Sequence, residues 1–142
     1  MAETMNLSVN TGAIKVAVTN ENGTQIGEFE FSPLDYNIVR RYGKVVDFFN
    51  SVEFADGLTD EEQLAETSKL SDNICEQFDY LLGYKVSAGI FGHCSPLTVI
   101  QNGDFYFMNV LEGIAGLIEN VMRERVEKKL KKVEKATAKY TK

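Results

Sequence analysis

The chain has 142 residues, of which 44% are hydrophobic and 25% charged, with only 2 Pro and 2 Cys. This length predicts one domain, and the composition excludes wholesale disorder, a collagen-like chain and a disulfide scaffold. The formal net charge of −6 argues against a protein coated in positive charge to hold nucleic acid.

The first predicted element is a β-hairpin over residues 13–31. Asn22-Gly23 predicts a two-residue type I′ turn, because both central residues of that turn need positive φ. Counting outward from the turn places apolar residues opposite each other on one face: Ile14 opposite Phe31 and Val16 opposite Phe29. A lone hairpin is marginal in water, so this face is expected to pack on the rest of the chain.

A helix is predicted directly after the hairpin. Ser32 is a good N-cap and Pro33 suits the first helical position, so the helix is expected to begin there. Gly43 inside the helix costs about 1 kcal/mol relative to Ala, which predicts a close packing contact. One apolar face follows at helical spacing: Leu34, Ile38, Tyr42, Val45, Phe49 and Val52.

A second helix is predicted from Thr59, which starts a capping box with Glu62, to about Leu82, with Gly83 as its C-cap. Its apolar side comprises Leu70, Ile74, Phe78, Leu81 and Leu82. Beyond it, residues 86–92 predict two turns of helix and Pro96 a further short turn.

The last helix is predicted from about Asp104 to Lys139, which is roughly 54 Å at 1.5 Å per residue. A compact domain of this size has a radius of gyration of about 14 Å. The helix is therefore longer than the domain is wide, and its last turns are expected to protrude. We therefore predict residues 1–122 as hairpin plus helical core, and residues 123–142 as a protruding basic helix of the same domain. The predicted apolar stripe of the last helix is Leu111, Ala115, Ile118, Met122, Val126, Leu130 and Val133.

The fold predicted from these elements is α+β and mainly α. An N-terminal β-hairpin packs on a bundle of about three to five helices, and the last helix is long and basic.

The last 20 residues carry charge opposite in sign to the rest. Residues 123–142 contain nine basic and three acidic side chains, a net charge of +6, and the other 122 residues carry a net charge of −12. Cations that complement the helix dipole would explain a few basic residues but not nine beside an apolar stripe. We therefore expect a partner-binding surface made of Met122, Val126, Leu130, Val133, Lys128, Lys129, Lys131 and Lys132.

Two classes of partner fit this surface. One is an acidic or amphipathic protein, including the acidic body of a second copy. The other is the phosphate backbone of nucleic acid, bound with strong salt dependence. A protein partner is favoured, because Val126, Leu130 and Val133 have no purpose against phosphate.

No enzyme, cofactor or metal site is predicted. His93-Cys94 lacks an orienting third group, and one His with two Cys leaves a zinc site short of ligands. The acidic cluster at residues 60–62 already serves a helix start. The strings at residues 89–92 and 113–116 match the GxxG loop of a KH module, but their apolar centres favour packing.

No targeting signal or membrane segment is predicted. Residues 1–12 lack the apolar segment of a secretory signal, and no apolar run approaches the roughly 20 residues that span a bilayer. Two cysteines make no disulfide framework, so a reducing cytoplasm is expected, with no membrane association.

The order of elements resembles a family of small proteins. Residues 29–35 lead from the hairpin into a first helix, a second acidic helix follows, and then come residues 90–92. A long helix through residues 107–112 closes in the Lys-rich residues 135–140. This order is similar to tail assembly chaperones encoded in tail gene clusters of long-tailed phages and prophages of Gram-positive bacteria.

The resemblance implies a non-enzymatic protein in the cytoplasm of the bacterial host. Such a chaperone binds the long, helical tape-measure protein, keeps it soluble, helps recruit tail-tube subunits, self-associates and leaves before the virion is finished. No catalytic residue carries over, and no cofactor is implied. The alternatives are a structural tail or head–tail connector protein and a small nucleic-acid-binding regulator.

Overall fold

A two-stranded antiparallel hairpin and four helices make up the described part of the chain, residues 2–53 and 56–138 of a computed structural model. The elements are β1 (Ile14–Thr19), β2 (Gln25–Phe31), α1 (Tyr36–Ser51), α2 (Asp60–Leu82), α3 (Ser87–Phe91) and α4 (Tyr106–Ala138). The predicted α+β class is confirmed, including the N-terminal hairpin and the long C-terminal helix. The predicted end of that helix, Lys139, lies outside the described residues.

The hairpin keeps the predicted register, but its turn is different. The pairs Ile14–Phe31 and Val16–Phe29 are both present. The type I′ turn is wrong, since no non-glycine residue in the described ranges has positive φ and Asn22 therefore lacks it. The Gly23 N–H donates to the Asn20 carbonyl oxygen at 3.0 Å, with Gly23 at φ 78°.

The side chain of Asn20 explains the longer turn. Its Oδ1 accepts hydrogen bonds from the N–H groups of Asn22 at 2.9 Å and Thr24 at 3.0 Å. This Asx-type bonding stabilises a wider connection than the two-residue turn. A β-bulge between Val18 and Thr19 absorbs the change, so the register beyond it is unaffected.

Helix α1 begins three residues later than predicted. Asp35 is its N-cap, and the Asp35 side chain accepts from the Asn37 N–H at 3.0 Å. Ser32 does not cap the helix: its Oγ donates to the carbonyl oxygen of Thr11 at 3.0 Å, and its own carbonyl oxygen accepts from the Asp35 N–H at 3.2 Å. Residues 32–35 therefore form a turn that precedes the helix.

The predicted apolar face of α1 is confirmed only in part. Ile38 and Val45 are buried, whereas Leu34 and Tyr42 are 37% and 51% exposed. The close contact expected at Gly43 is wrong, since a Cβ there would meet no atom within 4 Å.

Helix α2 agrees with its prediction at both ends. The Thr59 Oγ1 accepts from the Glu62 N–H at 3.2 Å, and Gly83 terminates the helix at φ 73°. Its buried residues are Ile74, Phe78, Leu81 and Leu82, with Leu70 half-buried. All ten residues from 60 to 69 are exposed, so only the second half of α2 contributes to the core.

Helix α3 packs on the face of the sheet at very short range, beside Gly27 and Glu28 of β2. A Cβ added to Gly89 would collide with the carbonyl oxygen of Glu28, and one added to Gly27 would collide with the carbonyl oxygen of Gly89. Only glycine allows two backbones to approach this closely. The string at residues 89–92 therefore serves packing, as predicted, with Ile90 1% exposed.

One hydrophobic core joins the hairpin to all four helices. The Phe78 ring of α2 meets Phe91 of α3 edge-on, with centroids 5.1 Å apart. Helix α4 contributes a single fully buried residue in its described part, Ile114, which is 4% exposed. The core therefore holds the first half of α4 and leaves its second half outside.

Candidate partner-binding surface

The second half of α4 is exposed almost without interruption. From Met122 to Thr137 every side chain is exposed except Arg125, which is half-buried. The four apolar residues predicted for the surface share this exposure, between 50% and 55%: Met122, Val126, Leu130 and Val133. Their spacings of four, four and three place them on one side of the helix, and we call them the apolar stripe.

Basic side chains line another side of the same segment. They form a shallow groove made of Arg125, Lys128, Lys129, Lys131, Lys132 and Lys135, and we call these six residues the basic face. The four lysines predicted from the sequence all belong to it. Arg125 and Lys135 were missed, although their spacing of three and four from the neighbouring lysines indicates the same side.

The basic face continues the side of α4 that packs on the core. Ile114, half-buried Val121, Arg125, Lys128 and Lys132 follow at spacings of seven, four, three and four. At about 100° per residue these positions share one direction, and the apolar stripe lies about 110° away from it. The core-facing side therefore changes from apolar to basic between Val121 and Arg125.

The direction of the buried residues corrects the apolar face that was predicted for the whole helix. The prediction ran through Ala115, which is exposed, and omitted Ile114, which is buried. The predicted members Leu111 and Ile118 do pack against the core. The apolar stripe follows Ile118 four residues later at Met122 but turns progressively away from the direction of Ile114. A partner that contacts the stripe would reach the basic face at its flank.

Arg125 joins the basic face to the N-terminal segment. Its Nη2 donates to the carbonyl oxygen of Gly12 at 2.7 Å. The carbonyl oxygen of Thr11, the residue before Gly12, accepts from the Ser32 Oγ, so the residue that follows β2 holds the same stretch. Arg125 is therefore a positioning residue for residues 11 and 12, while the lysines of the basic face extend beyond it.

The other candidates from the sequence carry no assembled site. His93 is exposed and Cys94 half-buried at an open cavity of about 740 Å³, which Tyr106 also lines. The Tyr106 hydroxyl donates to the Ile90 carbonyl oxygen at 3.0 Å, and burial raises the pKa of Tyr106. Among residues 2–53 and 56–138, no three His, Cys, Asp or Glu side chains are grouped to hold a metal ion.

The second GxxG string lies within α4. Ile114 at its centre is buried, but Ala115 is exposed, and a Cβ at Gly113 or Gly116 would meet no atom within 4 Å. The string is helical, so it does not form the loop with which a KH module clamps nucleic acid.

Known proteins give no match to this chain: neither a family model, nor a curated protein, nor a solved structure is similar to it. Within the described ranges, no helix combines the length and the apolar character needed to cross a membrane.

Proposed function

We propose that this protein is a non-enzymatic tail assembly chaperone of a long-tailed phage or prophage, which binds the tape-measure protein and assists assembly of the tail tube. The observation that supports the proposal is the exposed second half of α4, where an apolar stripe and a basic face lie side by side. A surface of this composition is suited to an amphipathic helix with acidic flanks.

The apolar stripe favours a client that has an apolar face of its own. Val126, Leu130 and Val133 are all slightly more than half exposed, so covering them contributes roughly half of the about 1.5–3 kcal/mol that full burial of such a side chain gives. The lysines beside them attract an acidic flank at long range and fix the orientation of the client. A long helical protein repeats such faces, so several chaperone molecules can cover it and prevent aggregation.

The proposal is tested by co-purification of the full chain with the tape-measure protein of the same genome. The stripe variant Val126→Ser/Leu130→Ser/Val133→Ser is expected to weaken the complex at least about tenfold, because each serine removes apolar contact area. The matched control is Val99→Ser, a residue that is 63% exposed on another part of the molecule. Equal capture by both variants and the original chain contradicts the assignment.

The basic face is tested separately. Lys128→Glu/Lys132→Glu is expected to slow association and to weaken binding most at low salt, since exposed charges act mainly through steering. Lys44→Glu on α1, also an exposed lysine, is the control. Solubility of the tape-measure protein on co-expression measures the chaperone activity. Absence of this protein from purified virions is expected of a chaperone, and its presence is expected of a structural tail or connector protein.

A nucleic-acid-binding regulator is the second candidate. It is favoured by the basic face, whose six side chains the apolar stripe does not interrupt. Binding to phosphates predicts an affinity for random duplex DNA that falls steeply with salt, and Lys128→Glu/Lys132→Glu would abolish it. In that case the stripe variant would bind DNA like the original chain, which is the opposite of the result expected for a helical client.

A further inference from the structure

The N-terminal segment carries an alternating pattern that no contact within the described chain uses. Residues 2–11 are all exposed, and the three large apolar side chains among them, Met5, Leu7 and Val9, are 89%, 88% and 68% exposed. Apolar residues at every second position, separated by Asn6 and Ser8, are typical of a strand with one buried face.

The sheet offers a place for such a strand. Within residues 2–53 and 56–138 the sheet has two strands, and β1 pairs only with β2. Helix α3 packs on the face of β2, where a Cβ on Gly27 would meet Gly89. The second edge of β1 is therefore an unpaired edge, and a two-stranded sheet gains stability from a third strand.

Side chains on the apolar face of the sheet are less buried on β1 than on β2. On β2, Phe29 and Phe31 are 7% and 0% exposed. On β1, the side chains on the same face are only half-buried: Ile14, Val16 and Val18. The apolar face of the hairpin is therefore incomplete on the β1 side.

We propose that residues 4–10 of one molecule add as a third strand to the unpaired edge of β1 in a second molecule, and that the two molecules exchange these arms reciprocally. A register that aligns Met5, Leu7 and Val9 with the half-buried face of β1 also aligns Asn6 and Ser8 with the exposed face of Lys15 and Thr19. A shift by one residue would reverse both faces, so the alternation fixes the register.

The lengths of donor and acceptor agree. Seven arm residues span about 23 Å and the six residues of β1 about 20 Å at the rise of an extended strand. Reciprocal exchange gives a closed twofold dimer, in which neither molecule keeps a free arm or an unpaired β1 edge.

The exposed area is sufficient for this association. The chain exposes 11,017 Å². A compact monomer of its mass exposes about 7,400 Å² by the usual scaling. The difference exceeds the roughly 800 Å² that each partner buries in a standard interface, and both the arm and the second half of α4 contribute to it.

Contacts at residues 11 and 12 anchor the base of the arm. The Thr11 carbonyl accepts from Ser32, the residue that follows β2, and the Gly12 carbonyl accepts from Arg125 of α4. Beyond this anchor, residues 2–10 are all exposed, so the whole of the proposed strand is accessible to a second molecule.

The test uses the full chain with proline in the arm. Leu7→Pro removes an N–H and fixes φ in the middle of the added strand, whereas Ala2→Pro places the same residue outside residues 4–10. By light scattering after size exclusion, the original chain and Ala2→Pro are expected at twice the 15.9 kDa chain mass, and Leu7→Pro at the monomer mass. Circular dichroism checks that both variants keep the helical content of the original.

A second measurement identifies the strand contact itself. In a mixture of isotope-labelled and unlabelled molecules, cross-peaks between arm residues 5–9 and the β1 amides are expected only between different molecules, and Leu7→Pro should abolish them. A monomeric original chain, an unchanged mass for Leu7→Pro, or arm contacts confined to one molecule overturns the proposal. Tape-measure binding through residues 122–133 is a separate measurement, so failure of either proposal leaves the other to its own result.

Discussion

Asp79, near the end of α2, holds Ser87 at the start of α3 by two hydrogen bonds: the Ser87 N–H donates to Oδ1 at 2.8 Å and the Ser87 Oγ to Oδ2 at 2.9 Å. The same Oδ1 accepts from the Val86 N–H, also at 2.8 Å. Val86, the N-cap residue of α3, makes no capping hydrogen bond with its side chain. A carboxylate from α2 therefore supplies the cap that α3 lacks.

Removal of this cap should destabilise the fold. Asp79→Ala leaves two backbone N–H groups and the Ser87 hydroxyl without their acceptor, and hydrogen bonds to a charged group contribute about 1.5–3 kcal/mol each. We expect a loss of about 3 kcal/mol in the free energy of unfolding, measured by urea denaturation. Asp72→Ala, an exposed acidic residue of the same helix, should change it by less than about 0.5 kcal/mol. Equal stability of the two variants would disprove the capping role.

Two glycine-to-alanine substitutions should act in opposite directions. Gly89→Ala forces the backbone of α3 away from the Glu28 carbonyl, and overpacking of this kind costs about 1–3 kcal/mol or more. Gly43→Ala in α1 meets no atom within 4 Å and should stabilise the helix by about 1 kcal/mol. Thermal denaturation should show a lower Tm for the first and a higher Tm for the second. A lower Tm for both would mean that Gly43 has a packing role after all.

The two halves of α4 should respond differently to truncation. Ile114→Ala removes a side chain that is 4% exposed and should cost about 2–5 kcal/mol of unfolding free energy. Leu130→Ala, at a residue that is 55% exposed, should change the stability of the isolated chain by less than about 0.5 kcal/mol. Guanidinium unfolding compares the pair, and a large loss for Leu130→Ala at monomer concentrations would show that the stripe has a partner within the chain.

Stability should fall at alkaline pH through Cys75. Burial raises the pKa of the Cys75 thiol, and the carboxylates of Asp79 and Asp72 raise it further. The unfolded chain then loses this proton first, so the contribution is complete below the ordinary thiol range of about pH 8.5 and decreases as pH rises through the folded-state pKa. The stability difference between the original chain and Cys75→Ala should therefore shrink between pH 7.5 and 9.5 in urea unfolding. A difference independent of pH would contradict the shift.

Patterns that depend on neighbouring residues were the ones predictable from the sequence. The register Ile14–Phe31 and both ends of α2 follow from alternation, a capping box and a C-terminal glycine, which act locally. The start of α1 was not predictable, because Ser32 and Asp35 are both residue types that cap helices and only the structure shows that Asp35 accepts from a helix N–H. The Ser32 hydroxyl donates instead to Thr11, 21 residues away in the sequence.

The candidate surface was predicted in composition but not in geometry. The lysines and the apolar residues of α4 are visible in the sequence, yet periodicity cannot show which side of a long helix meets the core. Only the burial of Ile114 fixes that direction. With it, Arg125 joins the core-facing side, and the apolar stripe separates from it.

Because α4 continues without a break from Ile114 to the apolar stripe, the number of residues between them sets the direction of both exposed surfaces. Deletion of one residue in this interval would turn every later side chain by about 100°, which would carry the stripe into the direction that the basic face now occupies. The interval therefore acts as a spacer of fixed length. Substitutions within it leave the direction of the two surfaces unchanged, whereas a change of length would place the partner on another side of the molecule.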